Sequence, residues 1–124
     1  MTIARALERT DMEVTSAQAG AGGIVRVGET RLMYPLLGDF AAAVTGLVAA
    51  GSQDILIDLT PVTYIDSATI GCLMDLYRQV HTSGGRLKLS GVQKRVHTML
   101  TLTGAQNFID IQADEPAAIK SFGA

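Results

Sequence analysis

The sequence predicts a single α/β domain built on a mixed sheet. Short apolar runs of strand character recur between stretches of helical period, single helical stretches separate the later strands, and a hairpin pattern opens the chain. A crossover helix returns the chain in the same direction, so strands joined in this way run parallel, while the opening hairpin adds an antiparallel pair. The predicted order is β-β-α-β-α-β-α-β-α. At 124 residues, 48% of them hydrophobic, the chain is long enough for one core and too short for two.

Residues 1–11 have no clear period and are read as a flexible N-terminal lead-in, leaving residues 12–124 as the domain. Met12-Glu13-Val14-Thr15 alternates apolar with polar, as a half-buried strand does, and Ile24-Val25-Arg26-Val27 is its expected hairpin partner. The glycine-rich stretch from Gln18 to Gly23 is then a flexible connection. It lacks the lysine of a phosphate-binding loop and opens no helix. Pro35 suits the first turn of a helix whose apolar face is Leu37, Phe40, Ala41, Val44, Leu47 and Val48, and Ala50-Gly51 ends it.

The centre of the chain runs from Asp54 to Tyr77. Ile55-Leu56-Ile57 is a strand, Thr60-Pro61 a turn, Tyr64-Ile65 an apolar pair, and Asp66-Ser67 stands where a helical period begins. Ile70, Leu73, Met74, Tyr77 and His81 recur at intervals of three and four and so share a face. The first turn of such a helix has unpaired N–H groups, which Asp66 or Ser67 can cap. Ser83-Gly84-Gly85 breaks the chain, and Leu87-Lys88-Leu89-Ser90 resumes as a strand. Val92, Val96, Met99 and Leu100 form a third helical face, closed by Thr103-Gly104. Asn107 to Ile111 is the final strand, and Asp114-Glu115-Pro116 opens a last helix through Ala117, Ile119 and Phe122.

Composition removes several function classes. The net charge is −2 and the basic residues are scattered, so the stripe that tracks nucleic-acid phosphates is missing. The longest apolar-rich stretch, Phe40 to Ala50, is interrupted by Thr45-Gly46 and falls short of a bilayer span, and the N-terminus has no signal-peptide core. A soluble, cytoplasmic protein is expected. Cys72 is a lone cysteine with no partner at metal-ligand spacing and reads as a packing residue. Asp54, Asp58, Asp66 and Asp75 fall on different elements in no metal-loop pattern, so no metal or cofactor is expected. Hydrolytic use of Ser67 needs an adjacent base. His81 lies about 21 Å away at helical rise, and His97 falls on a polar helix side with nothing to support the role. An enzyme is the least favoured class.

The strand ILIDL, the bridge TPVTY and then IDSATIGCLM resemble the STAS domain family, whose best-known members are bacterial anti-sigma factor antagonists. Position by position, Asp66 matches the family's Asp, Ser67 its phosphoacceptor serine, Ala68 a common variant of a second hydroxyl residue, Ile70 its aliphatic and Gly71 its small residue. Asp58-Leu59, Gly28-Glu29 and the stretch from Val92 to Ala105 extend the similarity, which spans residues 24 to 122. Thr69 departs from the family's usual Gly and puts a β-branched side chain in the first helical turn, where a partner would come close.

The resemblance implies a mixed five-stranded sheet with about four helices largely on one side. It also implies a phosphorylation-switched interaction domain. The unphosphorylated form binds an anti-sigma factor that is also a serine kinase, through Asp66, Ser67, Ala68, Thr69, Ile70, Gly71 and Met74, and phosphate on Ser67 breaks the complex. Independently of family, a phosphate brings about −1.5 to −2 charges to the positive end of a helix dipole, where it alters the surface without melting the helix. Should Ser67 not be the acceptor, Thr69 or Thr63 is next in line. The alternative is a constitutive interaction or small-ligand-sensing module in which Ser67 only caps the helix. Thr69 favours the second reading and intact Asp66-Ser67 the first.

Overall fold

A computed structural model describes residues 2–4, 14–19 and 22–123. In chain order the elements are β1 (Thr2–Ala4), β2 (Val14–Ala19), β3 (Gly22–Val27), β4 (Arg31–Leu32), α1 (Leu37–Ala49), β5 (Asp54–Asp58), β6 (Tyr64–Ile65), α2 (Ser67–Thr82), β7 (Arg86–Ser90), α3 (Lys94–Thr103), β8 (Asp110–Gln112) and α4 (Glu115–Ser121). The main sheet has six strands in the order β1-β2-β3-β5-β7-β8, and β4 pairs with β6 in a separate two-stranded piece. The pairs β1-β2 and β2-β3 are antiparallel; β3, β5, β7 and β8 run parallel, as the crossover helices require.

The expected five-stranded sheet is therefore one strand short. Thr2–Ala4 pairs with Ser16 to Gln18 along the edge of β2, and three residues are too few to carry a period of their own. The rest of the expected lead-in, and Met12-Glu13 of the first expected strand, lie outside the described residues. The flexible connection at Gln18 to Gly23 is also corrected. Gln18 pairs with Gly23 and Ala19 with Gly22, so only Gly20 and Ala21, both outside the described residues, remain between the strands.

Register decides which side chains share a face. Val25, Ile57 and Leu89 lie in one row of paired residues, and Gly23, Ile55 and Leu87 in another, with α1, α2 and α3 packed against that side. Phe40, Val44 and Leu47 of α1, Leu73, Leu76 and Val80 of α2, and Val96 and Leu100 of α3 complete the core. An added Cβ on Gly23 would stand 2.7 Å from Leu47 Cδ1, so the absent side chain leaves room for Leu47 of α1 against β3.

The opposite face carries Arg26, Leu56, Arg86 and Lys88, and there α4 lies across β5, β7 and β8. Three helices thus share one side of the sheet and the fourth takes the other. Asp114 caps α4 by accepting from the Ala117 N–H at 2.9 Å. The Arg26 guanidinium donates to both oxygens of Glu115 at 2.8 and 3.0 Å, and Lys88 Nζ donates to Ser121 O at 3.1 Å and Ser121 Oγ at 2.8 Å. Arg86 donates to Phe122 O at 2.7 Å while its guanidinium lies over the Phe122 ring, which Lys88 Nζ also approaches.

Smaller departures follow from packing. Pro35 sits in a single 3-10 turn, Tyr34–Leu36, ahead of α1. Val92 precedes α3, and Asn107 ends a second 3-10 turn, leaving only Asp110–Gln112 as strand and Phe108 60% exposed. The buried stripe of α2 is Thr69, Ile70, Leu73, Leu76 and Val80, whereas His81 is exposed. No helix among the described residues is long and apolar enough to cross a membrane.

Gly85 marks where β7 enters beside the segment leading to β5. A Cβ there would stand 2.2 Å from the Gln53 carbonyl oxygen, which already accepts from the Arg86 N–H at 2.8 Å. Because the obstacle is backbone, Gly85→Ala should destabilise the domain by about 1–3 kcal/mol. Gly46→Ala, at an open helical position, should instead stabilise it by about 0.5–1 kcal/mol. Urea denaturation with unchanged m-values checks both.

Candidate functional site

Strand β6 ends at Ile65, Asp66 stays extended at φ −108° and ψ 177°, and α2 begins at Ser67. Asp66 is the helix cap. Its Oδ1 accepts from the Thr69 N–H at 2.8 Å, and its Oδ2 accepts from the Tyr34 N–H at 3.0 Å. Thr69 Oγ1 lies 2.7 Å from Leu32 O and 2.7 Å from Asp66 Oδ1, so its single proton serves one acceptor at a time. One carboxylate and one hydroxyl thereby tie the start of α2 to β4 and to the 3-10 turn ahead of α1.

This corrects the expectation for Thr69. Its side chain is 0% exposed and points into the protein, because position 69 belongs to the stripe that continues through Leu73, Leu76 and Val80. As folded here it offers no surface for docking. Ile70, at 7% exposed, is likewise inside. Ser67, Ala68 and Gly71 face outward, and Asp66 and Met74 are half-buried. The reading of Ser67 as the helix cap is also displaced, since Asp66 fills that place and the Ser67 hydroxyl has no hydrogen-bond partner among the described residues. Thr63 is exposed and donates to Thr30 O at 3.1 Å.

Sequence reasoning missed Tyr34. Its ring is 72% exposed while its N–H is held by Asp66, 32 residues away. A tyrosine ahead of a proline signals only an approaching helix, so nothing in the sequence marks it. Beside it an open groove of about 710 Å³ runs between α1 and α2, walled by Gly38 and Ala41 on one side and Ala68, Gly71, Cys72 and Asp75 on the other.

Burial at the cap opposes ionisation of Asp66, but the hydrogen bonds from the Thr69 hydroxyl and the Tyr34 and Thr69 N–H groups outweigh it and hold the carboxyl below its usual range. Burial, reinforced by the charge of Asp75, pushes the Cys72 thiol up and away from nucleophilic chemistry. Among the described residues no group of three His, Cys, Asp or Glu side chains could hold a metal ion. His81 stacks on Tyr77 with centroids 5.8 Å apart, and the His97 ring stands 3.4 Å from Thr101 Oγ1; neither is bonded to Ser67. The site therefore presents, at the start of α2, an exposed serine hydroxyl with no hydrogen-bond partner among the described residues.

Residues 5–118 match the STAS domain family. The anti-sigma-B factor antagonist of Bacillus subtilis is 30% identical over 73 residues, covering 59% of this chain and 67% of that protein. The probable sulfate transporter 4.2 of Arabidopsis thaliana is 41% identical over 51 residues, 41% of this chain but only 7% of the transporter. In fold the chain is similar to an anti-sigma factor antagonist from Mycobacterium paratuberculosis, with a TM-score of 0.81, 15% identity and coverage of 92% and 96% of the two chains.

Thr69→Val keeps the shape and removes the hydroxyl, so the Leu32 carbonyl and Asp66 Oδ1 lose the one donor they share; a loss of about 1–3 kcal/mol is expected in urea denaturation. Asp66 gives a pH signature. Its folded pKa lies below the unfolded value, so its contribution is complete above about pH 4 and is lost as pH falls through the lowered folded pKa. Asp66→Asn should flatten stability against pH in that acid window, and an unaltered slope there would count against the ionised cap.

Proposed function

Because the chain belongs to the STAS domain family, we propose that it is an anti-sigma factor antagonist whose binding is switched by phosphorylation of Ser67. The observation that carries this reading is an exposed Ser67 hydroxyl, free of any capping duty, at the first position of a 16-residue helix. The partner is an anti-sigma factor with serine kinase activity, and regulation of transcription is indirect. The domain acts in the cytoplasm as a binding module rather than an enzyme, and the kinase supplies the chemistry from ATP.

In the unmodified form the start of α2 is a low surface, since Ser67 and Ala68 carry short side chains and Gly71 none. A phosphate there adds about −1.5 to −2 charges and strongly hydrated oxygens. Docking over it would strip that water without restoring its hydrogen bonds. Asp66 sharpens the effect, because bonds from Thr69 and Tyr34 hold its carboxylate in place beside the new charge. The fold is unaffected because the apolar residues of α2 face inward. Thr69, whose β-branch would have obstructed a partner, lies in the interior, so this departure from the family pattern does not crowd the surface.

A constitutive interaction or small-ligand module is the second reading, favoured by the similarity to a segment of a sulfate transporter.

Intact and peptide-level mass spectrometry of the protein from its own host decides between them. A single phosphate on Ser67, lost in Ser67→Ala, is expected; its absence under growth and stress alike would favour the constitutive module. Ser67→Asp should weaken kinase binding at least tenfold with an unchanged melting temperature. Unchanged affinity would remove the switch.

A further inference from the structure

We propose that the α1–α2 groove beside Ser67 seats a basic amphipathic helix of the partner kinase. This rests on the Ser67 reading and names the part of the partner that docks. The groove is continuous with that site, since Ala68 and Gly71, one residue and one helical turn beyond Ser67, form its wall. A Cβ added to Gly38 on α1 or Gly71 on α2 would meet nothing within 4 Å. Neither glycine is required by the chain's own packing, although glycine is the poorest helix former after proline. Short walls on two helices let a third helix lay its ridge between them.

Charge decides what kind of helix fits. Asp75 is the one charged residue among the described residues that line the groove, Asp39 and Asp66 stand outside the lining on α1 and at the α2 cap, and Arg78 is the one Lys or Arg on the two helices. The Arg78–Asp75 pair has side chains 63% and 71% exposed, so it is weak and open to exchange. The complementary occupant is apolar along its ridge and positive toward Asp75. Tyr34, exposed at the groove's end, adds an aromatic of the kind that dominates interface energetics. Asp75 lies about 12 Å beyond Ser67 at helical rise, further than the screening length of about 8 Å. A phosphate on Ser67 therefore does not recruit that cation, and desolvating the phosphate still opposes docking.

The test reads the rate of Ser67 phosphorylation by host extract and ATP, followed by mass spectrometry. Gly38→Leu and Gly71→Leu should each slow it at least tenfold, while Gly46→Leu, open but outside the groove on α1, leaves it unchanged. Melting temperatures confirm folding, and Tyr34→Ala, at an exposed ring, should slow the reaction severalfold with no packing change. Asp75→Lys should slow it about tenfold. Wild-type rates in the groove and Tyr34 variants would overturn the groove while the phosphate on Ser67 leaves the switch standing. A wild-type rate for Asp75→Lys would overturn the positive charge of the occupant. No phosphate on wild-type Ser67 would overturn both proposals.

Discussion

The Asp66 carboxylate is the constraint on which the rest of the site depends. It accepts the N–H of Thr69 within its own helix and the N–H of Tyr34 across the chain, and the Thr69 hydroxyl links it to the Leu32 carbonyl. A helix start is a place of unsatisfied donors, and here their satisfaction also fixes where α1 begins relative to α2. With the capping task taken by Asp66, the neighbouring serine is left free. The proposed modification of Ser67 would therefore cost the cap nothing.

The sheet supplies the rigid backing. Parallel β3, β5 and β7 are covered by α1 and α2 on one side and by α4 on the other, which explains why all three central residues of β5, Ile55, Leu56 and Ile57, are buried. The two layers are held by different means. The α1–α3 side is a continuous apolar core, whereas α4 is bound mainly through Arg26, Arg86 and Lys88, with Ala118 its one buried residue among those described. The side that positions Ser67 is thus the side held by burial, which neither salt nor pH readily loosens.

Helix α2 separates the two duties by angle. Thr69, Leu73, Leu76 and Val80 point into the core, and Ser67, Ala68 and Gly71 point out, one or two positions away. A helix advances about 100° per residue, so neighbours in sequence serve opposite purposes. A change at Ser67 would therefore alter the outward surface while the packed stripe keeps its place, which is what the proposed switch requires.

Most of this architecture was legible from sequence because its signals are local. The apolar periods of α1 and α2, the strand Ile55 to Ile57, the acidic cap and proline of α4 and the Asp66-Ser67 start each report on a few neighbouring residues. Thr2–Ala4, the β4–β6 pair and the position of α4 were not legible, because strands of two or three residues are defined by their hydrogen-bond partners and a helix does not record which face of a sheet it covers. Thr69 shows the boundary most clearly. Sequence places it in the first turn of a helix beside a serine and an aspartate; only the tertiary structure turns its methyl and hydroxyl inward, against a carbonyl 37 residues away. The sequence by itself determined the elements and the presence of the Asp66-Ser67 pair. Which of the two is the cap, which neighbours are exposed and that Tyr34 stands beside them were decided by long-range hydrogen bonds and packing, which no local pattern encodes.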